Sequence, residues 1–304
     1  MREEPLMVGL AQRAPLPIGA SLGEFARDVE DTLRVHPEIG LLVYPELHLC
    51  GSEHLPEEER ASALEAAALP LDVDWIQQIG AIAAEHGIWL CPGSVGERGD
   101  DNGYYNTQLL FDPDGVLRAR YRKIFPWRPF EPHDIGTEFV VEPLTQGGHA
   151  GLSICYDIWF PEHGRQLAWL GADLVLNIVK TTTPDREQEL VLVRANAIMN
   201  QQMVVSVNCA APVGRGRSLA VDAEGYVLGE AGLGPQTLIV PFRPSAVAGV
   251  REAGTLGRNR LWHQFRPYDP EVPLPMYQGR IDPRSWRPRS DDLPPQAADS
   301  TPDL

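Results

Sequence analysis

The chain has 304 residues, enough to bury a substantial core as one large or two small domains, and its hydrophobic (43%) and charged (22%) contents are ordinary for a globular protein. A formal net charge of −16, from 26 basic against 42 acidic residues, argues against nucleic acid and anionic membrane surfaces as partners. Four cysteines without a C-x-x-C pair, no basic-then-apolar leader and no apolar run of about 18 residues point to a soluble protein of a reducing, cytoplasmic compartment.

In chain order, residues 6–12 read as a strand and 22–35 as a helix, with Phe25, Val29 and Leu33 at helical spacing and Ser21 as its cap. Residues 39–46 form an apolar strand ending at Pro45-Glu46. Residues 57–69 are alanine-rich and acidic, a partly exposed helix, and 73–86 form a helix closed by Gly87. Residues 88–93 and 106–111 are strands, and an Asp112-Pro-Asp-Gly115 turn makes a hairpin with the segment leading to Lys123. After Cys155 come a helix to Leu170, a strand over 172–178, a helix over 186–200, a strand over 203–208 and a hairpin about residues 222–225. Helices and strands alternate twice in similar order, as expected for two packed halves of one α/β domain over residues 1–250. Residues 251–304 form a C-terminal extension rich in proline and arginine, ending in an acidic, disordered stretch.

Three junctions carry the chemistry. The apolar strand over 39–46 stops at Pro45 and presents Glu46 at its carboxyl end. The alternating run 116–122 meets the proline-interrupted loop Ile124-Phe-Pro-Trp-Arg-Pro-Phe-Glu131, placing Lys123 and Glu131 at a strand end and on a loop. In Gly151-Leu-Ser-Ile-Cys-Tyr-Asp-Ile-Trp-Phe-Pro-Glu162, an apolar strand delivers Cys155 to a turn before a helix opened by Pro161. Each junction alone is uninformative, since a cysteine at a strand end is commonly just a small buried residue. Together they are specific, because ligands in open α/β sheets gather outside the strand carboxyl ends. A carboxylate can take the thiol proton and return it to a leaving amine. An ammonium can stabilise the anion of a tetrahedral intermediate, and turn amides together with a helix dipole favour thiolate.

This ordered Glu, Lys, Cys set resembles the signature of the nitrilase superfamily of carbon–nitrogen hydrolases. The matching text is Tyr44-Pro-Glu-Leu47, Tyr105-Asn-Thr107, Phe111-Asp-Pro-Asp-Gly115, Tyr121-Arg-Lys123, Ile154-Cys-Tyr-Asp157 and Phe160-Pro-Glu162, over roughly residues 6–250. The resemblance implies an αββα sandwich of two pseudo-symmetric halves. It also implies Glu46 as general base, Lys123 as stabilising cation, Cys155 as nucleophile and Glu131 as a second glutamate beside them. The backbone N–H of Tyr156 would complete an oxyanion hole.

Tyr156-Asp157 after the cysteine is the amidase and carbamoylase style rather than the nitrilase Trp-Glu, and the 123–131 loop resembles that of formamidases and short-chain aliphatic amidases. The expected activity is hydrolysis of a small amide through a Cys thioester. The alternatives are an N-carbamoyl amide hydrolase, an acyl transferase on the same scaffold and a catalytically silent assembly protein. Trp127, Phe130 and Trp159 would line the substrate pocket, with Thr181 on its far wall and His133 and His48 near the rim. Arg128 or Arg165 would read a substrate carboxylate if one is present. The histidines lack metal-ligand spacing, so neither metal nor cofactor is expected. A homodimer or larger assembly follows by analogy, with Trp262, Phe265, Tyr268 and Trp286 as candidate anchors.

Overall fold

A computed structural model describes residues 4–145, 147–274 and 279–281. Trp286 and the acidic stretch from residue 290 lie outside them. The described residues fall into two units, one ending at Trp262 and one beginning at His263; among the described residues, both sheets lie in the first.

The first half begins with β1 (Leu6–Gln12), α1 (Leu22–Val35) and β2 (Ile39–Val43). Ser21 caps α1, its Oγ accepting from the Gly23 N–H at 3.1 Å, a bond of the kind that contributes about 1 kcal/mol. α2 (Glu57–Ala66) buries none of its residues, whereas α3 (Asp74–His86) buries Ile76, Ile79, Ile82 and Ala83 and ends on Gly87 in the left-handed conformation. β3 (Trp89–Cys91), β4 (Ser94–Arg98), β5 (Tyr104–Phe111) and β6 (Leu117–Arg122) follow.

The second half runs through β7 (Val141–Pro143), β8 (His149–Ile154), a 3-10 turn (Cys155–Trp159), α4 (Pro161–Trp169), β9 (Leu174–Val179), α5 (Arg186–Asn200), β10 (Met203–Asn208), β11 (Leu219–Val221) and β12 (Val227–Glu230). β13 (Gln236–Phe242) then returns to the first half, and α6 (Pro244–Ala253) closes the series.

One sheet has the order β13-β1-β2-β3-β5-β4 with β6 also on β5; the other has the order β12-β11-β10-β9-β8-β7. Each has a parallel centre, β1-β2-β3 in one and β8-β9-β10 in the other. The layering follows from which faces are apolar. Val8, Leu10, Leu41 and Val43 from one sheet form a single cluster with Leu152, Ile154, Leu176 and Val205 from the other. On the outer face of the first sheet, Leu42 and Leu90 meet Phe25 and Val29 of α1 and Ile79 and Ile82 of α3. On the outer face of the second, Val175 and Val204 meet Leu167 of α4 and Leu190, Val193 and Ala197 of α5. Strands buried on both faces read as continuous apolar runs for this reason, and the four layers are helices, sheet, sheet, helices. Gln12 staples the sandwich: its amide donates to the Gly232 and Gly234 carbonyls, and its Oε1 accepts from the Ser218 N–H at 2.8 Å and hydroxyl at 2.9 Å.

Three strands, β4, β7 and β13, were not expected from the sequence. β7 is three residues long and ends in a proline, while β4 contains Gly96 in a stretch that reads as glycine-rich loop. β13 is specified by its pairing with β1, more than 220 residues away, rather than by its own pattern.

Candidate active site

Glu46 follows β2 and is held from three sides. Its Oε1 accepts from Asn106 Nδ2 of β5 at 2.8 Å and from Lys123 Nζ at 3.1 Å, and its Oε2 accepts from the Lys180 N–H just past β9 at 3.0 Å. The turn carrying it depends on Gly93, at φ +99°. A Cβ there would lie 2.0 Å from the Pro45 carbonyl oxygen, so only glycine lets the two segments approach. The Ser94 hydroxyl accepts from the Leu47 N–H at 3.0 Å and fixes the same turn.

Lys123 directly follows β6, and its side chain is fully enclosed. Its ammonium donates to Glu46 and to both oxygens of Glu131, at 2.7 and 2.9 Å. Glu131 reaches it from a turn in which the Glu131 N–H donates to the Trp127 carbonyl at 2.9 Å. Burial pulls the Lys123 ammonium down, but the Glu46 and Glu131 carboxylates outweigh it and hold its pKa well above the usual lysine range. Burial likewise raises Glu131, and Lys123 more than reverses this, to about 2. Lys123 and Glu131 therefore keep their charges throughout the neutral range.

Cys155 sits where β8 gives way to the 3-10 turn, half-buried and in a left-handed conformation with φ +46°. Such a conformation costs a non-glycine residue of order 1–3 kcal/mol and is characteristic of sharp turns that expose a nucleophile. Asn177 of β9 anchors it, donating to Ser153 Oγ at 3.1 Å and to the Cys155 carbonyl at 3.5 Å. Burial and the nearby Glu46 carboxylate push the thiol up, further than Lys123 brings it down. The expectation of a resting thiolate is thus reversed, because desolvation and a like charge exceed the pull of one ammonium already paired with two carboxylates.

Glu46, Glu131 and Cys155 line one cavity of about 50 Å³ together with Trp127, Tyr156, Lys180, Thr181, Thr182, Thr183, Asp185 and Glu189. Lys123 lies behind this lining, bonded to two of its carboxylates. Thr181 is on the wall, but its hydroxyl donates to Glu189 at 2.6 and 2.8 Å, and Arg186 neutralises that carboxylate at 3.0 Å.

Several expected lining residues lie elsewhere. Trp159 packs against the core between α4, α5 and the second sheet, because the 3-10 turn rotates it away from Cys155. His133 is buried behind the site, its Nδ1 3.7 Å from Glu131 and its ring 4.5 Å from that of Tyr104. Phe130 is 68% exposed and stacks on Trp127. His48 stacks on Tyr44. Arg128 donates to the Glu131 and His133 carbonyls and so shapes the loop. Arg165 donates to the Met199 carbonyl and lies over the Trp262 ring.

Asp157 is the residue that sequence reasoning passed over. It is fully buried and joins the cysteine turn to the lysine strand. Its carboxylate accepts from the Ile154 N–H at 2.8 Å, the Phe125 N–H at 3.0 Å and the Tyr121 hydroxyl at 2.8 Å. Burial pushes it up to about 6 against the pull of Lys123 and those donors. The Tyr121 oxygen in turn accepts from the Ile124 N–H and faces His163 Nε2 at 2.9 Å. Burial lowers His163 to about 3, so it is neutral and donates as the Nε2–H tautomer. Its place directly after Cys155-Tyr156 was the signal available, but its partners, in and just after β6, are more than 30 residues away.

Among the described residues no group of histidine, cysteine or acidic side chains is arranged to hold a metal ion, and no helix is long and apolar enough to cross a membrane. The formamidase of Pseudomonas syringae pv. tomato is 29% identical over 260 residues, covering 81% of this chain and 74% of that protein. Nit3 of Saccharomyces cerevisiae, from branch 10 of the nitrilase superfamily, superposes with a TM-score of 0.73 at 24% identity, covering 85% and 97% of the two chains. A mutant amidase from Nesterenkonia sp. AN1, carrying the acetamide moiety of fluoroacetamide covalently on its active-site cysteine, superposes with a TM-score of 0.68 at 25% identity, covering 83% and 96%. The sequence profile of carbon–nitrogen hydrolases matches residues 23–252, and the chain belongs to that family, within the nitrilase superfamily.

Proposed function

We propose that this amide hydrolase acts on short primary amides, with Cys155 as nucleophile, Glu46 as general acid and base and Lys123 as the cation at the developing oxyanion. The observation that carries the reading is the shared cavity: a thiol and two carboxylates bridged by one enclosed ammonium. Because Cys155 rests as a thiol, attack begins with transfer of its proton to Glu46 as sulfur bonds to the amide carbon. The carbonyl oxygen becomes an oxyanion. Lys123 can turn one N–H from Glu131 toward it, and the Tyr156 backbone N–H supplies a second donor. Collapse of this intermediate passes the Glu46 proton to the nitrogen, ammonia leaves, and a thioester remains. Glu46 then takes a proton from water, which attacks the thioester, releases the carboxylic acid and restores the thiol. Glu131 holds Lys123 in place and keeps it protonated.

The small cavity and the formamidase and amidase relatives support formamide- to butyramide-sized substrates. Hydrolysis is preferred over acyl transfer, since a space of about 50 Å³ admits water more readily than a second organic nucleophile. A homo-oligomer and a cytoplasmic setting belong to the same reading.

Ammonia release should be measured on formamide, acetamide, propionamide and butyramide, with Cys155→Ala alongside. The expected result is turnover of at least one amide and a loss of about 10⁴-fold or more in kcat for the variant. Equal turnover by Cys155→Ala would sink the assignment.

A further inference from the structure

The cavity over Cys155 carries more negative charge than its cations neutralise. Four of its lining residues are carboxylates, Glu46, Glu131, Asp185 and Glu189, and one is a cation, Lys180. Lys123 serves both Glu46 and Glu131. Arg186 serves Glu189. The Lys180 ammonium is bound to Glu53 at 2.5 Å and so adds nothing inward. Asp185 accepts from the Thr183 hydroxyl and has no ion pair among the described residues. Two negative charges are left over, one shared by the Glu46–Lys123–Glu131 group and one on Asp185. Asp185 immediately precedes α5. The remaining wall includes the rings of Trp127 and Tyr156, whose faces attract cations.

We infer that this cavity sorts amides by the charge of their acyl group, admitting short acyl chains that end in a neutral or cationic group and excluding those that end in a carboxylate, with Asp185 as the specificity-determining residue. The inference rests on the amide-hydrolase reading for its substrates, but its physical basis is the charge balance of the wall. In a space of about 50 Å³ a carboxylate leaves its hydration shell outside and meets like charge within. This counts against hydrolysis of N-carbamoyl amino acids and of ω-amides of dicarboxylic acids. Neither Arg128 nor Arg165 faces the cavity to rescue such a substrate.

The test uses pairs that differ in charge and hardly in size. For succinamide over succinamate, the wild-type kcat/KM ratio is expected to be at least ~100-fold, the scale for like charges a few ångströms apart at an effective dielectric of about 20. β-Alaninamide is expected to match or exceed butyramide. Asp185→Asn, which keeps the side chain's size and its acceptor for the Thr183 hydroxyl, is expected to narrow the succinamide preference about tenfold.

A second measurement needs no turnover. The rate of Cys155 alkylation by iodoacetamide relative to iodoacetate, read on the Cys155 peptide and normalised to free glutathione, should show the same preference and the same narrowing in Asp185→Asn. Succinamate turned over within threefold of succinamide overturns the inference, as does a preference left unchanged by Asp185→Asn. If no neutral amide releases ammonia while the alkylation preference persists, the charge selection stands and the hydrolase reading falls.

Discussion

The two halves of the sandwich share a layout but bring opposite things to the site. The first half contributes the Glu46 carboxylate after β2, the Lys123 ammonium after β6 and the Glu131 carboxylate on the following loop, with Lys123 bonded to both carboxylates. The second contributes the Cys155 thiol at a strained turn, the charged wall residues Lys180, Asp185 and Glu189, and one buried acid, Asp157, whose bonds to Tyr121 and the Phe125 N–H reach back into the first half. One ammonium offsets only one of the two carboxylates it binds, so the cluster remains net negative. The difference teaches that the chemistry belongs to neither half and depends on the bonds crossing between them.

The largest effect is expected from breaking the first half's charge cluster. Lys123→Met leaves two largely buried carboxylates facing each other without their cation. It should cost about 3–5 kcal/mol in denaturant unfolding and abolish measurable amide turnover. Glu131→Gln is milder. It removes one partner of the ammonium and should lower kcat about 10- to 100-fold while KM changes less. Its pH signature has a definite sign. The folded pKa of Glu131, about 2, lies below the ordinary glutamate value, so its stabilisation is present above that ordinary value and is lost as pH falls toward 2. The stability gap between wild type and Glu131→Gln should therefore close in acid, and a gap that widens below pH 4 would refute the pairing.

Asp157→Asn tests the bonds between the halves. Asp157 binds its proton more tightly folded than unfolded, at about 6 against an ordinary 3.8, so wild-type stability falls as pH rises between those values, by about 3 kcal/mol. The asparagine variant should flatten that slope. It should also be about 1–3 kcal/mol less stable than wild type near pH 4, where the amide NH₂ opposes a backbone donor. Unfolding free energies from pH 4 to 7 decide it, and identical slopes would place the proton elsewhere. The smallest effect is expected from Arg128→Ala, which releases the loop carbonyls of Glu131 and His133. A fall of about three- to tenfold in kcat/KM without loss of fold would confirm that this loop only aims Glu131.

What could be read in advance follows the same division between local and long-range causes. α1 and α5 were legible to the residue because an apolar face and a polar face, with the Ser21 cap in α1, are contained in about fifteen consecutive residues. The three junction residues were legible because apolar runs stop abruptly at Glu46, Lys123 and Cys155. Asn106, Asp157 and the Lys180 N–H were not, since a hydrogen-bond partner 60 or 134 residues away leaves no local mark. Trp159 shows a different failure. Four residues from the nucleophile is close in the chain, but its ring packs behind Tyr156 against the core cluster rather than on the cavity wall, so nearness in sequence did not give direction.

β13 lies antiparallel along the whole length of β1, from Leu6 beside Phe242 to Gln12 beside Gln236. During synthesis the opening strand must therefore wait, with one flank bare, until nearly the entire catalytic unit has left the ribosome. Its last wall arrives only after every catalytic side chain has been made. A polypeptide stopped between residues 190 and 235 carries Glu46, Lys123, Glu131 and Cys155 yet lacks the strand that covers the free edge of β1.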